Sequence, residues 1–104
     1  MQKRAIVIDA KDVVGIVAQP VNSGEKVWVV EQKRELDVKD TMTTGHKIAL
    51  YPIKAGELVI KYGIPIGRAT QDIEPGEWVH CHNVEDITEE LCNMYTKQYR
   101  EGVI

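Results

Sequence analysis

Val21-Asn22-Ser23-Gly24-Glu25-Lys26-Val27, Ile53-Lys54-Ala55-Gly56-Glu57-Leu58-Val59 and Ile73-Glu74-Pro75-Gly76-Glu77-Trp78-Val79 are three versions of one phrase. Each reads as an apolar residue, two further residues, Gly-Glu, one residue, then valine. The physics behind the phrase is local. Pro75 suits the second position of a β-turn, and Gly76 supplies the positive φ that a type II turn requires next. The glutamate then opens a strand whose valine points inward. Several such corners in a chain of 104 residues predict a compact all-β body. Their uneven spacing speaks against a solenoid.

Short apolar stretches surround these corners: Ala5-Ile6-Val7-Ile8, Val13-Val14-Gly15-Ile16-Val17, Val27-Trp28-Val29-Val30, Lys47-Ile48-Ala49-Leu50, Leu58-Val59-Ile60-Lys61-Tyr62 and Trp78-Val79-His80-Cys81-His82. Their length and β-branched or aromatic content favour strands. Gly15 inside the second stretch signals a bulge or a close backbone approach. No long segment of helical period occurs before residue 85, which excludes a doubly wound α/β domain. After Asp86 the pattern changes. Ile87, Leu91, Met94, Tyr95 and Tyr99 fall on one helical face. Asp86 and Glu89 fit a capping box, Lys97 and Arg100 suit the helix C-terminus, and Gly102 is a stop. That face can pack on the strand domain or dock another chain. The expected organisation is a strand domain over residues 1–85 and a helical tail over 86–104.

Thirteen basic against sixteen acidic side chains give a formal net charge of -3, which argues against a nucleic-acid binder. Hydrophobic residues at 43% and charged residues at 28% describe a globular chain. Cys81 and Cys92 make neither a disulfide framework nor a CxxC pair, and read as reduced thiols. No apolar run approaches the roughly 20 residues that span a bilayer. Asp9, Lys11 and Asp12 interrupt any signal-peptide core, so a cytoplasmic location is expected.

Three segments hold side chains able to do chemistry. In an extended Trp78–His82 segment, Trp78, His80 and His82 would share a face. Two histidines at i and i+2 are spaced to ligate a metal or to bind an anion together. The alternative is a pair of ordinary surface histidines. Asn83 can bond to ligand or to backbone. In Thr43-Thr44-Gly45-His46-Lys47, His46 suits acid–base work near neutral pH and Lys47 suits a carboxylate; the alternative is a solvated loop. Lys61 and Arg68 flank a corner bracketed by Gly63 and Gly67. Two cations there can grip a carboxylate, arginine in bidentate fashion, or remain plain surface charges.

These segments also carry a resemblance. Gly45-His46-Lys47-Ile48-Ala49-Leu50, Gly56-Glu57, Val59-Ile60-Lys61-Tyr62-Gly63, Pro65-Ile66-Gly67-Arg68-Ala69, Pro75-Gly76-Glu77 and Val79-His80 with His82-Asn83 occur in the order found in the N-terminal domain of the altronate and galactarate dehydratases. The match is dense over residues 45–83 and looser over 1–40. That domain is an SAF domain, a small β-clip barrel. The resemblance implies an all-β β-clip fold with the C-terminal helix appended. It also implies elimination of water from hexonate or hexarate sugar acids, with divalent iron or manganese. A similar small chain serves as the small subunit of sulfolactate sulfo-lyase.

The long catalytic region of the dehydratases is missing from these 104 residues. The resemblance therefore implies a small subunit, or an excised domain, working with a large catalytic chain that holds most of the metal. The titratable residues beside these turns, set against the needs of elimination, put His46 and His82 in catalysis. Lys47, Lys61, Arg68 and Asn83 would bind substrate, and His80 with His82 would assist a metal. The expected partners are the large chain and a sugar acid, with neither nucleic acid nor membrane. Self-association is compatible with the sequence. A non-catalytic β-clip module binding a sugar or a protein surface is the reading from another class, and the number of titratable groups in these segments argues against it.

Overall fold

A computed structural model describes residues 2–87 of the chain. Among these, every regular element is a strand: β1 (Arg4–Ile6), β2 (Val14–Val17), β3 (Lys26–Val29), β4 (Arg34–Asp37), β5 (Lys47–Ala49), β6 (Leu58–Lys61), β7 (Ile64–Ala69), β8 (Trp78–Val79) and β9 (Val84–Glu85). They form a six-stranded sheet ordered β4-β3-β1-β2-β5-β8 and a three-stranded sheet ordered β6-β7-β9. Neighbours are antiparallel except β1 and β3, which are parallel. This curled, all-strand architecture is of the expected β-clip kind. The expected C-terminal helix lies outside the described residues.

The repeated phrase sets the corners as anticipated. Gly24, Gly56 and Gly76 have φ near +90°. The glutamate amides of Glu25, Glu57 and Glu77 donate back to the carbonyls of Asn22, Lys54 and Glu74. Each carboxylate then accepts the amide of that same first residue: Glu25 from Asn22, Glu57 from Lys54, Glu77 from Glu74. Val27, Val59 and Val79 follow at 0%, 0% and 2% exposure, so the strands enter the core valine first. Complete burial of such a side chain contributes roughly 1.5–3 kcal/mol.

A fourth copy of the turn runs from Met42 to Ile48 and was not evident in the sequence. Gly45 has φ 90° and the His46 amide donates to the Thr43 carbonyl at 3.1 Å. Here histidine replaces glutamate. The turns face one another in pairs through isolated bridges, Val21 with Met42 and Ile53 with Ile73.

Two hydrophobic clusters fill the domain. Ala5, Val17, Val27, Val29, Met42, Ile48 and Leu50 belong to the first, with Trp78 packed against it. Val14, Ala49, Ile53, Val59, Ala69, Ile73 and Val79 form the second. Successive residues of a strand point to opposite faces, so β5 and β8 divide the two clusters. Ile48 and Trp78 serve one side; Ala49 and Val79 serve the other.

Several expectations change. Strand β8 ends at Val79, and His80–Asn83 is a turn, not a strand continuation. The Gly63–Gly67 corner is a tight turn at Tyr62-Gly63 followed by β7, in which Gly67 is a strand residue. A Cβ on Gly67 would collide with Val84 and the Glu85 carbonyl, so the glycine lets β9 lie against β7. Gly15 is a close approach rather than a bulge: an added Cβ would meet the Ile6 carbonyl at 3.2 Å. The irregularity in pairing falls between Val59 and Ile60.

Candidate functional site

The order β2-β5-β8 brings the fourth turn beside the end of β8. Lys47 pairs with Val79 and Ile48 with Trp78. His46, immediately before β5, therefore meets Trp78 across the strands. Their rings stack with centroids 4.9 Å apart at 14°. His80 stacks on Trp78 at 5.0 Å and 8°, and lies 6.3 Å from His46. His82 contacts the indole at 5.1 Å, tilted by 43°. Three imidazoles separated by up to 36 residues in sequence thus gather round one indole. Sequence reading marked all three but overlooked Trp78 as the ring that organises them.

Asn83 holds this arrangement from below. Its carbonyl oxygen accepts the His80 amide at 2.9 Å, and its side-chain NH₂ donates to the Trp78 carbonyl at 2.8 Å. The amides of Asn83 and Val84 both donate to the His80 carbonyl. Asn83, expected to bind substrate, is 1% exposed, and both ends of its side-chain amide are engaged by backbone. It is the staple of the turn that carries His80 and His82. Trp78 is fixed from the opposite side, its amide donating to Asp40 Oδ2 at 2.8 Å.

Lys47, on the Val79 side of β5, lines a cleft with Ile66, His80, Val84 and Glu85. Arg68 stands next to this cleft, 3.7 Å from Glu85 across the β7–β9 pairing. Lys61 does not join the group. It sits at the far end of the β6–β7 hairpin, roughly three strand residues or 10 Å from the Leu58–Arg68 pair. Its ammonium lies 3.3 Å from the Tyr62 ring centroid, and the hairpin tip is tied to the Asp9–Asp12 loop by the Gly63 amide donating to Asp12 Oδ1 at 2.8 Å. The alternation of side chains along β6, with Val59 and Lys61 buried, turns this cation away from the surface.

Among the described residues, no three His, Cys, Asp or Glu side chains converge to hold a metal ion. His80 and His82 alone do not fit the divalent metal that the resemblance implies. What the edge offers is two exposed imidazoles, His80 and His82, and a half-buried one, His46, side chains whose ordinary titration lies near neutral pH, with a lysine and a paired arginine nearby. Cys81 is exposed and is a free thiol.

By fold and edge chemistry this is a small all-strand β-clip module that presents titratable groups without enclosing them. The chain belongs to the altronate/galactarate dehydratase SAF-domain family, whose description matches residues 3–87. It is 45% identical over 85 residues to the (2R)-sulfolactate sulfo-lyase subunit alpha of Chromohalobacter salexigens, covering 77% of this chain and 90% of that protein. It is 36% identical over 101 residues to the altronate dehydratase of Bacillus subtilis, covering 96% of this chain and 20% of the enzyme. For the Escherichia coli altronate dehydratase the figures are 38% over 86 residues, 83% and 17%. The chain therefore spans about a fifth or less of those two dehydratases. No helix among the described residues is long and apolar enough to cross a membrane.

Proposed function

We propose that this chain is the small SAF subunit of a lyase that eliminates a β-substituent from a hydroxy-carboxylate, acting with a large catalytic chain. The observation that carries this reading is the cluster of His46, His80 and His82 around Trp78, in a domain of a dehydratase family. Elimination removes the proton α to a carboxylate and expels a β-hydroxyl as water. It needs a base for the carbon-bound proton and a donor for the leaving oxygen. His82 is our first candidate for proton handling, since it is exposed and its turn is fixed by Asn83. His80 and His46 flank it. Lys47 supplies a point charge for the substrate carboxylate, and Arg68 can join once it exchanges Glu85 for that carboxylate. The large chain would complete the pocket and hold most of any divalent iron or manganese.

Water elimination from an altronate- or galactarate-type sugar acid is the leading activity. Sulfite elimination from sulfolactate is the second reading, favoured by the 90% coverage of the sulfo-lyase alpha subunit. The test is co-expression with a large catalytic chain of the altronate/galactarate dehydratase kind, then assay on altronate, galactarate and (2R)-sulfolactate. Turnover of one by the pair, and of none by this chain alone, is expected. Turnover by the isolated chain, or no turnover by the pair, would refute the reading. The cytoplasm is the proposed location.

A further inference from the structure

Four equivalent turns build the domain, and only one of them carries an imidazole where the others carry a carboxylate. We propose that Thr43 is a positioning residue that holds His46 in the neutral tautomer bearing its proton on Nε2. The Thr43 amide donates to His46 Nδ1 at 3.3 Å. That nitrogen must then present a lone pair. A neutral imidazole has one donor and one acceptor nitrogen, so the proton resides on Nε2. Nε2 lies 3.1 Å from Thr43 Oγ1, which accepts it. One residue thus binds both ring nitrogens, and the two contacts demand the same tautomer.

The sister turns show why this is a new property of the histidine copy. There the same backbone donors, Asn22, Lys54 and Glu74, are received by Glu25, Glu57 and Glu77. A carboxylate accepts through either oxygen and has no tautomer to select. Replacing it by imidazole turns a structural cap into a device that decides where a proton sits. Stacking on Trp78 fixes the plane of the ring in addition. His80 and His82 make no ring-nitrogen hydrogen bond among the described residues, so their tautomers are not selected in this way. The bearing on catalysis rests on the elimination reading. While the turn is closed both ring nitrogens are engaged by Thr43 and His46 has no free lone pair to act as base, which assigns proton abstraction to another group. The tautomer itself does not depend on that reading.

The test uses the full chain alone, labelled with ¹⁵N, above the histidine titration range. Long-range proton–nitrogen correlation distinguishes a protonated ring nitrogen from an unprotonated one, and His46→Gln assigns the signals. The expected result is an unprotonated Nδ1 and a protonated Nε2 for His46, with averaged nitrogens for His80 and His82. Thr43→Ser should keep the His46 pattern. Thr43→Val, with an otherwise unchanged amide spectrum, keeps the amide contact to Nδ1 and loses only the hydroxyl, so both nitrogens should move part of the way toward the averaged values while Nδ1 stays the less protonated one. A wild-type His46 that is averaged or protonated on Nδ1 would overturn the proposal, and so would a Thr43→Val protein in which His46 carries its proton mainly on Nδ1. Neither a large chain nor turnover enters the measurement, so its failure would leave the elimination reading standing, and the reverse holds.

Discussion

The side-chain amide of Asn83 donates to the carbonyl oxygen of Trp78 at 2.8 Å, across the turn that bears two of the three histidines. Because Asn83 also accepts the His80 amide and is almost wholly buried, its removal leaves the part-buried His80 amide and Trp78 carbonyl without these partners. Each such group costs about 1–3 kcal/mol. Asn83→Ala is therefore expected to lower stability by about 2–4 kcal/mol in urea titrations followed by tryptophan fluorescence. Asn83→Asp keeps only the acceptor and should fall between that variant and wild type. A change below about 0.5 kcal/mol in Asn83→Ala, the range of an ordinary surface substitution, would remove the staple from the account.

Gly24 and Gly76 occupy the same position in sister turns, with φ 92° and 90°, but in different surroundings. Nothing lies within 4 Å of a Cβ added to Gly24. At Gly76 it would run into the Asp37 carbonyl, and the Gly76 carbonyl accepts the Lys39 amide at 2.9 Å. Gly24→Ala should pay only the left-handed backbone penalty of about 1–2 kcal/mol. Gly76→Ala must also push the 37–40 segment away, and with it Asp40, which anchors Trp78. Thermal or urea unfolding is expected to show a clearly larger loss for Gly76→Ala. Equal losses would contradict the packing at that corner.

Stability should decline toward acid through two carboxylates. The Lys3 ammonium, with the Asn22 amide, holds Glu25 below the usual carboxylate range; Lys26 does the same for Asp37. A group whose folded pKa is lowered stabilises the protein above its unfolded value and loses that contribution as pH falls through the folded one. Lys26 is raised by Asp37, so its contribution is complete below the ordinary lysine value and is lost as pH rises through the raised one. Lys3→Gln and Asp37→Asn are expected to flatten the acid limb of unfolding midpoint against pH. The flattening should shrink in high salt, because these groups are exposed. Identical acid limbs in variants and wild type at low salt would count against both pairs.

In the proposed assembly with a large chain, His82→Ala should reduce kcat by about 10²–10⁴-fold, the usual consequence of removing an acid or base. Co-purification with the large chain should be unaffected. Lys61→Met, by contrast, should leave kcat close to wild type, since Lys61 lies at the opposite end of its hairpin from Arg68. Steady-state kinetics on the accepted substrate checks both, and the reverse ranking would relocate the site.

The corners of this fold were legible because glycine with positive φ followed by a capping glutamate is a local device. The fourth corner was hidden by His46 in the glutamate position, although the spacing from Met42 through Gly45 to Ile48 matches its sisters. Strand β4 escaped notice because Arg34-Glu35-Leu36-Asp37 buries only Leu36, as an edge strand can. Pro65 and Gly67 disguised β7. The histidines were recognisable as chemistry-bearing residues, but their convergence depends on β5 pairing with β8, a long-range fact that no segment encodes. The turn-capping part of Asn83 was hidden for a related reason: the same amide can face a ligand or cap a turn, and nothing local in the sequence shows its burial.

Strand β5 is gripped from both sides, Ile48 in one cluster and Ala49 in the other, each fully buried. It acts as a rigid post rather than a hinge. The amide protons of these two residues should exchange only when the whole domain opens. His46 and Lys47 are mounted at the foot of that post, so their backbone is held with it. In the proposed two-chain lyase, this domain would be the fixed jaw, and any closing movement would fall to the large chain.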